Sequence, residues 1–134
     1  MIPYFEGRIG PGLDQLGART SGFDKSSITI KRRPFDYFKM FYADTAVFGS
    51  RAATVCGMEF FGPDRTLFAS DAPFDPEKGP MFIRETIKVI ESLEISGEDR
   101  AKVFHGNAER LLKLSQDKVK PRRSAPQRVA GRPA

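Results

Sequence analysis

The stretch Thr66-Leu67-Phe68-Ala69-Ser70-Asp71-Ala72-Pro73-Phe74 decides how this chain is read. Thr66 to Ala69 make a short continuous run rather than an alternating one, the pattern of a parallel strand covered on both faces. The run stops at Ser70 and Asp71, and Pro73 cannot continue a central ladder because it has no N–H to donate. A carboxylate therefore stands at the carboxyl end of a buried parallel strand, at the mouth of a loop. That is where α/β folds place ligands and catalytic groups. An Asp before a loop also commonly forms a turn by accepting from its own downstream backbone. The stretch alone leaves both readings of Asp71 open.

Upstream, Met40 to Ala43 read as a second strand that ends at Asp44-Thr45. Between the two strands, residues 50–61 read as a helix with Ser50 as its N-cap, and Ala52, Ala53, Cys56 and Phe60 share one side of it. Gly62-Pro63-Asp64 ends it. Strand, helix and strand form a βαβ unit, whose crossover is right-handed almost without exception. Further upstream, Pro34 suits the first position of a short helix over 34–39, and Pro3 opens a broken helix over 3–17. The latter carries Phe5, Ile9, Leu13 and Leu16 at helical spacing, interrupted by Gly10, Pro11 and Gly12. Residues 18–33 are loop-like.

Downstream, Ala72 to Gly79 form a loop, and residues 81–93 give the strongest helical pattern in the chain. Ile83, Ile87 and Ile90 make its stripe, widened by Phe82, Val89 and Leu93. Ser96 with Asp99 resembles a capping box and opens a short helix through Phe104. Gly106 is expected to break that helix and Asn107 to cap a last one over 108–114. The whole is α/β, with two parallel strands and several helices. Residues 1–114 form one domain, and residues 115–134 a basic tail expected to be disordered.

Composition sets limits on function. A chain of 134 residues holds one domain, and 40% hydrophobic content with 12 Phe suffices for a packed core. No apolar run approaches the roughly 20 residues of a membrane span. Met1-Ile2-Pro3-Tyr4-Phe5-Glu6 lacks the basic start and apolar segment of a secretory signal, so a cytoplasmic location is expected. Cys56 is the only cysteine, which excludes an internal disulfide and suits a small core residue. The net charge of +5 is unevenly spread: residues 1–117 sum to −1 and residues 118–134 to +6. The folded part has no basic face for nucleic acid. The tail, with Lys118, Lys120, Arg122, Arg123, Arg128 and Arg132, has no aromatic residue for base stacking, so no specific nucleic-acid partner is expected.

Several motifs occur together in a fixed order: Met1-Ile2-Pro3-Tyr4-Phe5-Glu6-Gly7-Arg8-Ile9, Phe41-Tyr42-Ala43-Asp44-Thr45, Gly62-Pro63-Asp64-Arg65, Leu67-Phe68-Ala69-Ser70-Asp71-Ala72-Pro73-Phe74 and Gly106-Asn107-Ala108-Glu109-Arg110-Leu111. In these the chain resembles the C-terminal part of the amidohydrolase-2 family, the aminocarboxymuconate-semialdehyde decarboxylase-like members of the metal-dependent hydrolase superfamily. The resemblance covers about residues 1–114. It implies the C-terminal portion of a (β/α)₈ TIM-type barrel, with a divalent metal, zinc or manganese, at the carboxyl ends of the strands. It implies metal-dependent hydrolysis or decarboxylation of a small carboxylated substrate, aromatic or muconate-like. The family's ligands are a His-x-His pair on the first strand, a His on a middle strand and an Asp on the last. Asp71 matches that Asp, which makes it the one candidate catalytic and metal-binding residue.

The departures from the family are as informative. The only histidine, His105, sits between C-terminal helices and away from the strand ends, so its expected role is that of a helix-end or surface residue. The family's other three ligands have no counterpart here. A closed eight-stranded α/β barrel also takes roughly 200–250 residues, and a catalytic zinc takes about three protein ligands. The chain is therefore expected to be a partial barrel, inactive alone and, by its ligand count, not to hold metal unaided. Asp44 at the end of the preceding strand, and Arg33 and Arg51 toward a substrate carboxylate, are secondary candidates. The rival reading is a non-catalytic binding or assembly module, which meets further copies of itself or a complementary half through open strand edges and uncovered helix faces.

Overall fold

The computed structural model describes residues 1–15 and 31–114. The expected tail and the end of the first expected helix, with Leu16 and Gly17, lie outside the described residues. In chain order the elements are a 3₁₀ turn at Pro3–Phe5, a π-helical turn at Arg8–Gly12, α1 (Pro34–Phe38), β1 (Ala43–Asp44), α2 (Arg51–Phe61), a 3₁₀ turn at Pro63–Arg65 and β2 (Thr66–Leu67). Then come α3 (Pro80–Glu91), α4 (Gly97–Ala101), a π-helical segment at Lys102–Gly106 and α5 (Asn107–Leu112).

β1 and β2 pair in parallel, Ala43 opposite Thr66 and Asp44 opposite Leu67, with α2 as the crossover between them. Both strands are shorter than the expected 40–43 and 66–69. Residues 40 and 41 are held back by the end of α1, since Met40 N–H donates to Tyr37 O (3.1 Å) and Phe41 N–H to Phe38 O (3.3 Å). Past Leu67, the Phe68 N–H turns away from the sheet and donates to Val103 O at 2.9 Å. The expectation that 66–69 is covered on both faces also fails. Thr66 is buried, whereas Leu67, Phe68 and Ala69 are half-buried, because among the described residues β2 has one strand neighbour and not two.

α2 is capped as expected: the Ser50 hydroxyl accepts from Ala53 N–H (3.4 Å), and Gly62 at φ +76° ends the helix. Its buried face matches the expected one only at Phe60. Thr54 and Phe60 are buried, while Ala52 and Ala53 are exposed and Cys56 is half-buried. The reason lies in α1, which sets Phe35 edge-on against Phe60, ring centroids 5.8 Å apart. The Lys39 ammonium lies 3.8 Å from the Phe60 ring centroid and donates to the Phe60 carbonyl, so this corner combines packing with a cation–π contact.

α3 keeps Ile90 and Leu93 of its expected stripe buried, but not the whole stripe. Thr86 and Ile90 are its buried residues and Leu93 just beyond it is buried, whereas Ile83 is 39% exposed. The loop after β1 packs on the Phe82 edge of the stripe, stacking Phe48 on Phe82 with centroids 4.4 Å apart. The Ser96 cap holds, its hydroxyl accepting from Asp99 N–H at 3.0 Å. Two expectations at the C-terminal end are corrected. Gly106 does not break the helix: α4 continues through a π-helical segment directly into α5, since Gly106 adopts φ −60° and ψ −36°, ordinary helical values. Asn107 caps nothing; it is fully buried. Its amide donates to Pro63 O (2.6 Å) and Thr66 O (2.7 Å), and its Oδ1 accepts from Arg110 (3.0 Å), which itself donates to Asp64 O (2.6 Å). The Gly-Asn-Ala-Glu-Arg-Leu motif thus fastens α5 to the segment that enters β2.

Candidate functional site

The sheet ends one residue after its second rung, and side chains take over. Thr45 N–H donates to Leu67 O at 3.0 Å. The Thr45 hydroxyl then donates to Ala69 O (2.9 Å) and accepts from Ala69 N–H (3.0 Å). Thr45 is 1% exposed, so these bonds are made in the absence of competing water. Ser70 follows, also buried, with its hydroxyl accepting from Ala72 N–H at 3.4 Å. Asp71 emerges next, exposed, with its backbone in the left-handed region at φ +61°. Asp tolerates that conformation better than most non-glycine residues, at some cost in strain. Its carbonyl accepts from Phe74 N–H (3.3 Å).

The far side of the Asp71 loop is anchored by Asp75, a residue whose role the sequence did not disclose. Asp75 is 5% exposed. Oδ1 accepts from Glu77 N–H (2.7 Å) and Oδ2 from Phe82 N–H (3.3 Å), at the start of α3. Burial by itself pushes the Asp75 carboxyl upward, but backbone N–H groups of Gly79, Phe82, Glu77 and Met81 outweigh it and hold the carboxyl below its ordinary value. A carboxylate against the orphan N–H groups of a helix N-terminus is a favourable arrangement. The only sequence signal is an Asp a few residues ahead of a Gly-Pro helix start.

The other expected site residues do not converge on Asp71. Asp44 Oδ1 accepts from Ala46 N–H (2.9 Å), an Asx turn, and the residue lines a different cavity. That cavity, of about 390 Å³, lies between Met1, Pro3 and Tyr4 on one side and Ala52, Ala53 and Cys56 of α2 on the other. Arg33 is engaged by Asp14, its Nε 2.8 Å from the carboxylate, and lies over the Phe35 ring. The ion pair depresses the Asp14 carboxyl. Arg51 is exposed in the first turn of α2. His105 is exposed and pairs with Glu109 one turn on, Nδ1 to Oε1 3.2 Å.

The arrangement defines a class: a parallel βαβ unit that presents one carboxylate beyond the carboxyl end of its second strand, followed by helices that brace it. The amidohydrolase family model matches residues 18–114, and the chain belongs to that family. No curated protein matches the sequence. Solved structures do. A dihydroxybenzoic acid decarboxylase from Polaromonas, with bound manganese and the inhibitor 2-nitroresorcinol, is 29% identical with a TM-score of 0.59, over 84% of this chain and 31% of that one. A 2,6-dihydroxybenzoate decarboxylase complexed with 2,6-dihydroxybenzoate is 27% identical with a TM-score of 0.60, over 84% of this chain and 32% of that one. A 5-carboxyvanillate decarboxylase from Sphingomonas paucimobilis is 26% identical with a TM-score of 0.60, over 85% of this chain and 31% of that one. The chain thus spans about a third of the length of the structures it matches. Its fold is the C-terminal portion of a (β/α)₈ barrel.

Manganese accompanies the Polaromonas enzyme, so the residues here must be tested against a divalent ion. Among the described residues, no group of three or more His, Cys, Asp or Glu side chains stands together to hold a metal. The described residues do not by themselves fit a metal centre of about three protein ligands. No helix among them is long and apolar enough to cross a membrane.

Proposed function

We propose that this chain supplies Asp71 to a decarboxylase of small carboxylated aromatic compounds, the remaining active-site groups coming from strands outside the described residues. The observation that carries the proposal is the position of Asp71 four residues beyond the carboxyl end of β2, in a fold that aligns with three aromatic-acid decarboxylases. In such a reaction the bond between ring and carboxylate breaks, its electron pair stays on the ring, and the ring carbon takes up a proton as carbon dioxide leaves. A carboxyl group at the strand end is suited to deliver that proton and to be recharged from solvent. Zinc or manganese enters this proposal only through the assembled protein, with Asp71 as the donor from this chain. Alone, the chain is proposed to be inactive.

Among the described residues the two-stranded sheet has no third strand, which suits a complementary half as partner. The same feature equally supports a second reading, an assembly module without catalysis. Co-expression with a segment carrying the remaining strands, followed by a decarboxylation assay on 2,6-dihydroxybenzoate, tests both. Turnover that falls by roughly 10²-fold or more in Asp71→Asn is the expected result. Wild-type turnover in that variant removes Asp71 from the mechanism. A stable complex without turnover on this or related hydroxybenzoates leaves the assembly reading.

A further inference from the structure

We propose that Thr45 is a positioning residue for Asp71, acting as a side-chain rung that extends the sheet one step beyond its backbone ladder. The inference rests on the proposed role of Asp71 and adds how that carboxylate is held.

The backbone pairing of β1 with β2 ends at Asp44 and Leu67, supplemented by Thr45 N–H to Leu67 O at 3.0 Å. From there β2 has lost its strand partner, since the Phe68 N–H is taken by Val103 O. Ala69 would then be free to swing, and with it Ser70 and Asp71. The Thr45 hydroxyl closes that gap. It satisfies both backbone groups of Ala69, donating to the carbonyl at 2.9 Å and accepting from the N–H at 3.0 Å. One hydroxyl performing both roles fixes the rotation of the Ala69 peptide groups as well as their distance. At 1% exposure, water cannot substitute for it.

The downstream side is held independently. Asp75 binds the N–H groups of Glu77 and Phe82, which ties the loop to α3. Asp71 therefore sits between a strand-side clamp at Ala69 and a loop-side clamp at Asp75. Its left-handed backbone, φ +61°, is a conformation that persists only where the surroundings over-determine it. Of the two clamps, the one Thr45 makes falls on Ala69, two residues from Asp71, against four for Asp75, and acts through Ser70.

The chemistry of the side chain gives a clean test. Thr45→Val keeps the branched shape and removes both hydrogen bonds; Thr45→Ser keeps the hydroxyl and removes a methyl. In the isotopically labelled 134-residue chain, Thr45→Val is expected to speed hydrogen exchange at the Ala69 amide roughly tenfold or more. It is also expected to shift the Asp71 ¹³Cα and ¹³Cβ resonances away from left-handed values, while exchange in α2 changes little. Thr45→Ser restores the Asp71 resonances. Unchanged Asp71 resonances in Thr45→Val overturn the proposal, as does acceleration spread evenly through α2, which marks a general loss of stability. Failure of Thr45→Ser to restore Asp71 also overturns it. None of these readouts depends on turnover, so the proposal can fail while Asp71 remains the functional carboxylate, and the reverse.

Discussion

At the scale of single residues, two buried polar side chains brace the segments on either side of Asp71, Asn107 at the start of β2 and Asp75 in the loop, and each has a different vulnerability. Asn107 donates twice, to Pro63 O and Thr66 O, from a site with no solvent access. Asn107→Ala leaves both carbonyls short of a donor and opens a void, so it is expected to cost about 2–4 kcal/mol in a denaturant titration. Asn107→Asp is expected to be worse at neutral pH, because a carboxylate would face two carbonyl oxygens. Asp75 behaves in the opposite sense, since it accepts. Its carboxyl is held below the ordinary carboxylate range, against the upward push of burial, by backbone N–H groups. A folded-state value below the unfolded one means that the contribution is fully present above the unfolded value, near 4, and is lost as pH falls through the folded value. Circular dichroism across an acid titration is expected to show Asp75→Asn less stable at neutral pH and less sensitive to acid below about pH 4 than the wild type. Equal acid sensitivity in the two proteins contradicts this account.

At the scale of elements, the loop between β1 and α2 is pressed against α3. Gly49 has φ +73°, and a Cβ placed there would lie 2.7 Å from Glu85 Cβ and 3.3 Å from Glu85 backbone carbon. Gly49→Ala therefore meets both backbone strain and a clash that a side-chain rotation cannot relieve. A loss of about 1–3 kcal/mol in thermal or denaturant unfolding is expected, and a neutral result would mean that the loop does not pack as described. This contact also explains what could be read in the sequence. The order of strand, helix and strand, and the caps Ser50 and Ser96, were legible because each depends on residues a few positions apart. The buried faces of α2 and α3 were legible only in part: Phe60, Ile90 and Leu93 are buried as expected, while Ala52, Ala53 and Ile83 are exposed, because α1 and the β1–α2 loop add contacts from outside each helix, Phe35 against Phe60 and Phe48 against Phe82. Thr86 sits buried where a helical stripe gives no reason for a polar residue, and its hydroxyl has no hydrogen-bond partner among the described residues. Asn107 was misread for the same kind of reason. Ahead of a helical pattern it reads as a cap, and only the folded chain brings Pro63 and Thr66 to its amide. For the proposed site, the place of Asp71 beyond a strand run was legible, whereas the Thr45 contact joins residues 24 positions apart and Asp75 left only the signal of an Asp ahead of a Gly-Pro helix start.

At the scale of the whole molecule, the number of donors decides what the chain can do alone. Buried apolar side chains among the described residues are Phe60, Ile90, Leu93 and Val103, a small core, while Phe48 and Phe74 stand 56% and 78% exposed on the loops after β1 and β2. Those are the loops that follow the carboxyl ends of the two strands, where a barrel carries its active site. The described residues offer no cluster of three ligating side chains there. The single carboxylate of Asp71 binds a divalent ion weakly, since a protein-held zinc or manganese draws its affinity from several donors in a fixed geometry. The 134-residue chain, loaded with manganese or zinc and then dialysed, is expected to retain far less than one ion per chain. Supplying the remaining strands is expected to bring retention to about one ion per assembled protein, and Asp71→Asn to reduce it, because an amide keeps one oxygen but loses the charge. Elemental analysis of the dialysed proteins reads all three cases. Stoichiometric metal on the isolated chain contradicts the donor count, and equal retention by Asp71 and its Asn variant in the assembled protein places the metal on other groups.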